Sequence, residues 1–167
     1  MTSNHDENSW NGTEFERLGA GAKAFAVMAY TVPGFPMMYN GQEVALNKRL
    51  LFFEKDTIIW NKPSDFTAFY TKLNSIKKAN ECLWNASNGG SFKQVATDKA
   101  GEVLSFVREK NGNKVLVLIN VTSQDINIQM TDEKLAGTYT NLMTDESLEI
   151  VAGQAVALPA WGYLVLK

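Results

Sequence analysis

The chain has 167 residues, of which 45% are hydrophobic and 20% charged; 16 basic and 18 acidic side chains leave a net charge of −2. This is enough apolar material for one domain, or for a small domain with an appendage, and charge is spread evenly along the chain without a basic stripe, so neither nucleic acid nor an anionic membrane is expected as a partner. Cys82 is the sole cysteine, which excludes an intrachain disulfide; no stretch approaches the ~20 apolar residues of a membrane span, and no secretory leader is legible.

The first marked stretch is Asn4-His5-Asp6-Glu7-Asn8, which holds the only histidine, followed closely by Trp10. Polar triplets before a helix usually act as N-caps or solvated turns, and composition favours that reading here. Residues 2–4 are expected as the last rungs of a strand. Thr13 and Glu16 then fit a capping box, in which the hydroxyl and the carboxylate answer each other across the first helical turn. The helix should run to about Tyr30, because Pro33 and Gly34 end it. Leu18, Ala22, Phe25, Ala26 and Ala29 recur at helical spacing, and Val27, Met28 and Tyr30 widen the stripe, so cover is expected on more than one side.

Phe35 to Tyr39 is a short apolar run bounded by Pro and Gly, as in a strand buried on both faces. Residues 40–63 read as a long, irregular connection of a kind that is often functional. Ser64 or Asp65 can cap a second helix with Phe66, Phe69, Tyr70, Leu73 and Ile76 as its apolar stripe. Strand, helix, strand, helix is the order of parallel α/β structure. From about residue 84 the period changes to short strands between turns. Asn111-Gly112 is a strong hairpin signal between Val103–Arg108 and Val115–Asn120. Segments around Ile126, Tyr139, Leu148, Ala155 and Tyr163 complete seven or eight strands, an antiparallel all-β sandwich of about 80 residues.

Two of these stretches carry a resemblance. Asn4-His5-Asp6 before a helix, then Pro33, Gly34, Pro36, Tyr39, Gly41 and Glu43, closely resemble the end of the catalytic barrel in the α-amylase family of glycoside hydrolases. Arg49 to Asp56, with Ile58 and Trp60, look like the loop that follows the last barrel strand in bacterial members. The closing Leu158-Pro159 and Gly162 to Leu166 are similar to the end of the domain that follows the barrel. The resemblance is strong over residues 2–80 and weak over the rest.

It implies an α+β multidomain fragment: the last βα units of a (β/α)8 barrel over residues 1–83, then an all-β antiparallel sandwich over 84–167. It also implies a part in retaining cleavage of α-glucosidic bonds in starch-like glucans. Asp6 would be the carboxylate that stabilises the transition state; His5, Asn4 and Trp10 would bind substrate. The nucleophile and the acid belong to earlier barrel strands, so the chain alone is expected to be inactive. No metal ligand or cofactor is expected within it, although calcium is possible in a full-length relative, whose expected location is the periplasm, the cell surface or outside the cell. Hydrolysis and transglycosylation share these motifs, as do starch, maltodextrin, pullulan and cyclodextrin cleavage. Two other readings remain open. In one the sandwich itself binds carbohydrate through Trp84 or Trp161; in the other it is a structural accessory that shields the barrel. A barrel remnant would leave an edge and two apolar faces bare, so a homodimer through residues 1–80 is expected.

Overall fold

The computed structural model describes residues 1–60 and 64–167. The last three residues of the expected connection, 61–63, lie outside the described residues. After an irregular start, Glu7–Asn11 form one wide π-helical turn. Helix α1 (Glu14–Leu18) starts with the capping box: the Glu16 N–H donates to Thr13 Oγ1 at 3.2 Å, and the Thr13 N–H donates to Glu16 Oε2 at 2.7 Å. Gly19–Gly21 tighten into a 3-10 turn before helix α2 (Ala22–Thr31), so the single helix expected here is broken in two. The glycine pair lets the chain re-aim. A Cβ on Gly21 would sit 2.9 Å from the Trp161 ring, so this close approach requires glycine.

Helix α3 (Asp65–Ala79) is capped by Ser64, whose hydroxyl accepts from the Phe66 N–H at 3.1 Å. Its buried residues are Phe66, Phe69, Tyr70, Leu73 and Ile76, the stripe read from the sequence. Eight strands follow: β1 (Ser91–Gln94), β2 (Val103–Lys110), β3 (Asn113–Asn120), β4 (Ile126–Ile128), β5 (Gly137–Thr140), β6 (Ser147–Ile150), β7 (Val156–Leu158) and β8 (Tyr163–Leu166). The main sheet has the order β1-β2-β3-β8, and β4-β7 and β5-β6 form two small sheets. All these pairs are antiparallel. Asn111 and Gly112 both take positive φ, 49° and 80°, which gives the β2–β3 turn the twist its strands need.

Alternation in the main sheet builds two cores. Phe106, Val115, Val117, Ile119 and Val165 point to one face and pack with Ala24, Val27, Tyr30, Phe69 and Leu73 of the helices. Val107, Leu116, Leu118 and Leu166 point to the other and pack with Ile128, Ile150 and Leu158 of the small sheets. The main sheet is therefore a middle layer, with helices on one side and sheet on the other.

Three expectations for the first half are corrected. Residues 2–4 and Phe35–Tyr39 form no strand, and the parallel strand–helix order does not occur among the described residues. Phe35 is 79% exposed rather than buried. A strand needs a neighbour to take its N–H and C=O groups. Here the Tyr39 N–H donates instead to Gln42 Oε1 at 2.6 Å. The helical faces for which a second copy was expected are covered by the chain's own sheet.

Candidate functional site

The Asn4–Asp6 stretch is held from behind by a buried polar knot. The Gln42 amide donates to Thr2 Oγ1 at 2.7 Å and to the Glu14 carboxylate, and the Arg17 guanidinium donates to the Thr2 carbonyl at 2.8 Å. Glu14 is 3% exposed, and burial raises its pKa against the hydrogen bonds from Gln42 and Thr2. Tyr70, 3.4 Å from the Gln42 amide, has its hydroxyl pKa raised by burial and by the charge of Glu14. These contacts tie the N-terminal segment to α1, α3 and the 39–44 turn.

From this base Asn4 acts as a cap, its Oδ1 accepting from the Glu7 N–H at 2.7 Å. His5 and Asp6 then project outward, with side chains 65% and 63% exposed and His5 Nε2 3.5 Å from Asp6 Oδ2. Among the described residues, His5 is the one basic side chain within 4.0 Å of the Asp6 carboxylate. Glu7 is turned away: Arg17 lies 3.4 Å from its Oε2 and the Asn11 amide donates to it at 3.3 Å.

Asn8 and Ser9 hold the 46–57 loop. The Asn8 side chain, in a residue 5% exposed, donates to the Lys48 carbonyl at 3.1 Å and accepts from the Leu50 N–H at 2.7 Å. Ser9 Oγ donates to the Leu50 carbonyl at 2.7 Å. Arg49 forms a two-pronged pair with Glu16, at 2.9 and 3.1 Å, which holds the Glu16 carboxyl down at about 2. Asp56 accepts from Lys48 and from the N–H groups of Leu51 and Thr57, and these bonds bring its carboxyl to about 2.

The loop so anchored carries Phe52 and Phe53 to Trp10. Centroids lie 5.4 Å apart for Trp10–Phe52, 6.4 Å for Trp10–Phe53 and 4.7 Å for Phe52–Phe53, and His5 lies 5.6 Å from Phe52. The structure thus brings Asn4, His5, Asp6 and Trp10 to one place. It adds Phe52 and Phe53, to which sequence reasoning gave no role, and Asn8, which looked like an ordinary loop residue. Adjacent aromatics inside a charged loop were the available signal. Trp161 packs on Phe25 at 6.0 Å, and Trp84 is 43% exposed with its indole N–H on the Lys78 carbonyl at 3.1 Å. Among the described residues no group of three or more His, Cys, Asp or Glu side chains is placed to hold a metal ion, and no helix is long and apolar enough to cross a membrane.

Comparison with known proteins gives the following. Residues 92–165 match the family model of the maltogenic amylase C-terminal domain. Alpha-amylase 2 of Dictyoglomus thermophilum is 24% identical over an alignment covering 84% of this chain and 25% of that protein. The chain's fold is similar to part of a maltogenic α-amylase from Thermotoga neapolitana, with a TM-score of 0.74, 18% identity and coverage of 87% of this chain and 36% of that one. An α-amylase from Lactobacillus plantarum gives 0.71, 22%, 98% and 36%. An α-amylase from Geobacillus thermoleovorans, solved with acarbose, gives 0.73, 18%, 88% and 33%. The chain spans about a quarter of the curated relative and about a third of these solved chains.

Proposed function

We propose that the chain, whose residues 92–165 match the maltogenic amylase C-terminal domain, is a member of the α-amylase family and serves as the C-terminal part of a retaining hydrolase of α-glucosidic bonds. In this reading residues 1–83 are the end of the catalytic barrel and 84–167 the accessory sandwich. The observation that carries it is the Asp6 carboxylate, exposed beside His5, whose ring lies 5.6 Å from the Phe52 ring that Trp10 also packs against.

Asp6 has a defined task in such a site. A carboxylate accepts from sugar hydroxyls in the ground state and gains further as positive charge develops on the distorted ring. His5 supplies a hydrogen bond to the same sugar, Asn4 sets the direction of both, and Trp10 offers a ring face. Retaining cleavage also needs a nucleophile and an acid about 5–5.5 Å apart, which this reading leaves to the rest of the barrel. The sandwich has a structural role, since one face of its main sheet covers α2 and α3.

The test has two arms. The 167-residue chain should release no reducing sugar from soluble starch. In the assembled enzyme, Asp6→Asn should lower kcat by several orders of magnitude while substrate binding changes far less. A variant that keeps more than a tenth of the rate removes Asp6 from this role. Alone in solution, the chain should pair with a second copy through residues 1–80, where Phe35, Met37 and Met38 are exposed. Light scattering behind a sizing column at micromolar concentration checks this, and a clean monomer rules it out.

A further inference from the structure

We infer that the Tyr39–Gln42 turn is a self-modifying site, at which Asn40 loses its side-chain amide to the backbone nitrogen of Gly41 and becomes aspartate or isoaspartate.

Asparagine followed by glycine occurs four times in the chain, at Asn11, Asn40, Asn88 and Asn111. The pairing matters because glycine has no side chain to keep its nitrogen away from the preceding amide. At Asn40 the Gly41 N–H gives its proton to solvent and the nitrogen attacks Cγ. The bond from Cγ to Nδ2 breaks, and that nitrogen leaves as ammonia while a cyclic imide closes. A water molecule then opens the ring on either side. One opening leaves aspartate; the other leaves isoaspartate, whose main chain runs on through Cβ and Cγ.

Ring closure requires the side chain and the following peptide group to swing together, so the four sites differ in what must first be released. All four asparagines are exposed. At Asn88 the peptide is held at both ends: the Gly89 N–H donates to the Ala86 carbonyl at 3.1 Å, and the Asn88 carbonyl accepts from Lys110 at 2.8 Å. The Asn11 amide donates to Glu7 at 3.3 Å from the end of the π-helical turn. The Asn111 amide donates to Glu81 at 3.4 Å, and its turn is clamped by the β2–β3 ladder, which pairs Lys110 with Asn113. Asn40 has no such hold. Among the described residues, its side chain, its carbonyl and the Gly41 N–H make no hydrogen bond to the chain.

The turn around this free peptide is nevertheless closed. The Gln42 N–H donates to the Tyr39 carbonyl at 3.1 Å, and the Tyr39 N–H donates back to Gln42 Oε1. Gly41 takes φ 90° and ψ −8° while Asn40 keeps a negative φ, which marks a type II turn. Types I and II differ in the direction of the central peptide, so this peptide turns over with the closing bond intact. A Cβ on Gly41 would lie 2.7 Å from Leu46, so glycine is required beside Asn40. The product places a new negative charge two residues from Gln42, whose amide donates to Thr2 and Glu14.

Incubation of the 167-residue chain at mildly alkaline pH, followed by peptide mapping in a mass spectrometer, tests the assignment. The peptide with Asn40 should gain the mass of an amide-to-acid exchange roughly tenfold faster than those with Asn11, Asn88 or Asn111, where hydrogen bonds must break first. An isoaspartyl methyltransferase should label that same peptide. Asn40→Gln should abolish the fast conversion and leave the slow ones unchanged. In urea the four sites should convert at similar rates, because the fold no longer separates them. Equal rates at the four sites of the folded chain, a faster site than Asn40, or no conversion of Asn40 while the urea-unfolded chain converts would each overturn the assignment.

Discussion

At the scale of single residues, Asp56 decides how firmly the aromatic loop is held. Lys48 and the two backbone N–H groups bind its charged form, which is why its carboxyl falls from an ordinary 3.8 to about 2. The folded pKa is depressed, so the unfolded chain takes up its proton first as the pH falls. The contribution of Asp56 is therefore complete above 3.8 and is lost as pH drops through about 2. In a pH titration followed by NMR, the Leu51 and Thr57 amide shifts should move with a midpoint near 2. A midpoint near 3.8 would show that these hydrogen bonds do not persist in solution. Asp56→Asn should lose the Lys48 attraction and loosen the loop at every pH, seen as faster hydrogen exchange at the same two amides.

At the scale of elements, the end of α2 is closed from a distance. Its last carbonyls lie in the interior, where they need donors. Arg108 of β2, 1% exposed, donates to the Thr31 carbonyl at 2.8 Å, to Ser91 and Gly90 at 3.2 Å, and to Trp84 at 3.4 Å. Lys77 of α3 donates to the Tyr30 and Leu83 carbonyls at 3.2 and 2.6 Å. Both cations sit at the negative end of the helix dipole, and among the described residues neither pairs with a carboxylate. Burial, and secondly the charge of Arg108, pull the Lys77 ammonium down to about 8. Arg108→Met keeps the bulk but strands the buried Thr31 carbonyl and three part-buried ones, and should cost about 3 kcal/mol in urea unfolding. Arg108→Lys should recover only a small part of that, because an ammonium on a shorter reach cannot serve four acceptors. A loss below ~1 kcal/mol would mean that water replaces the guanidinium at no great penalty.

For the whole molecule, the decisive feature is that the main sheet is covered on both faces. Phe106, Val117 and Val165 are fully buried only because the helices lie on them. Removing residues 1–83 would bare that face, an apolar patch that water disfavours. The two halves should therefore unfold in one transition, with fluorescence and circular dichroism tracing the same curve. Two separated transitions would show that the sandwich holds itself up.

Local patterns were determined by the sequence alone wherever neighbouring residues suffice. Thr13 and Glu16 specify a cap, Phe66 to Ile76 a stripe, and Asn111-Gly112 a turn, because each is a contact between residues within a few positions of one another. Asn4-His5-Asp6 and Trp10 are legible as a candidate site only through their resemblance to the α-amylase family, since composition by itself favours a cap there. Only the tertiary structure decided the rest. Whether Phe35–Tyr39 pairs depends on strands elsewhere in space, and an apolar run alone could not show that it goes unpaired here. That Arg108 would close α2, 77 residues away, follows from packing the sheet on the helices. Phe52 and Phe53 reach Trp10 because the Asn8 amide bridges 40 residues or more to the loop, a long-range contact that no periodicity records.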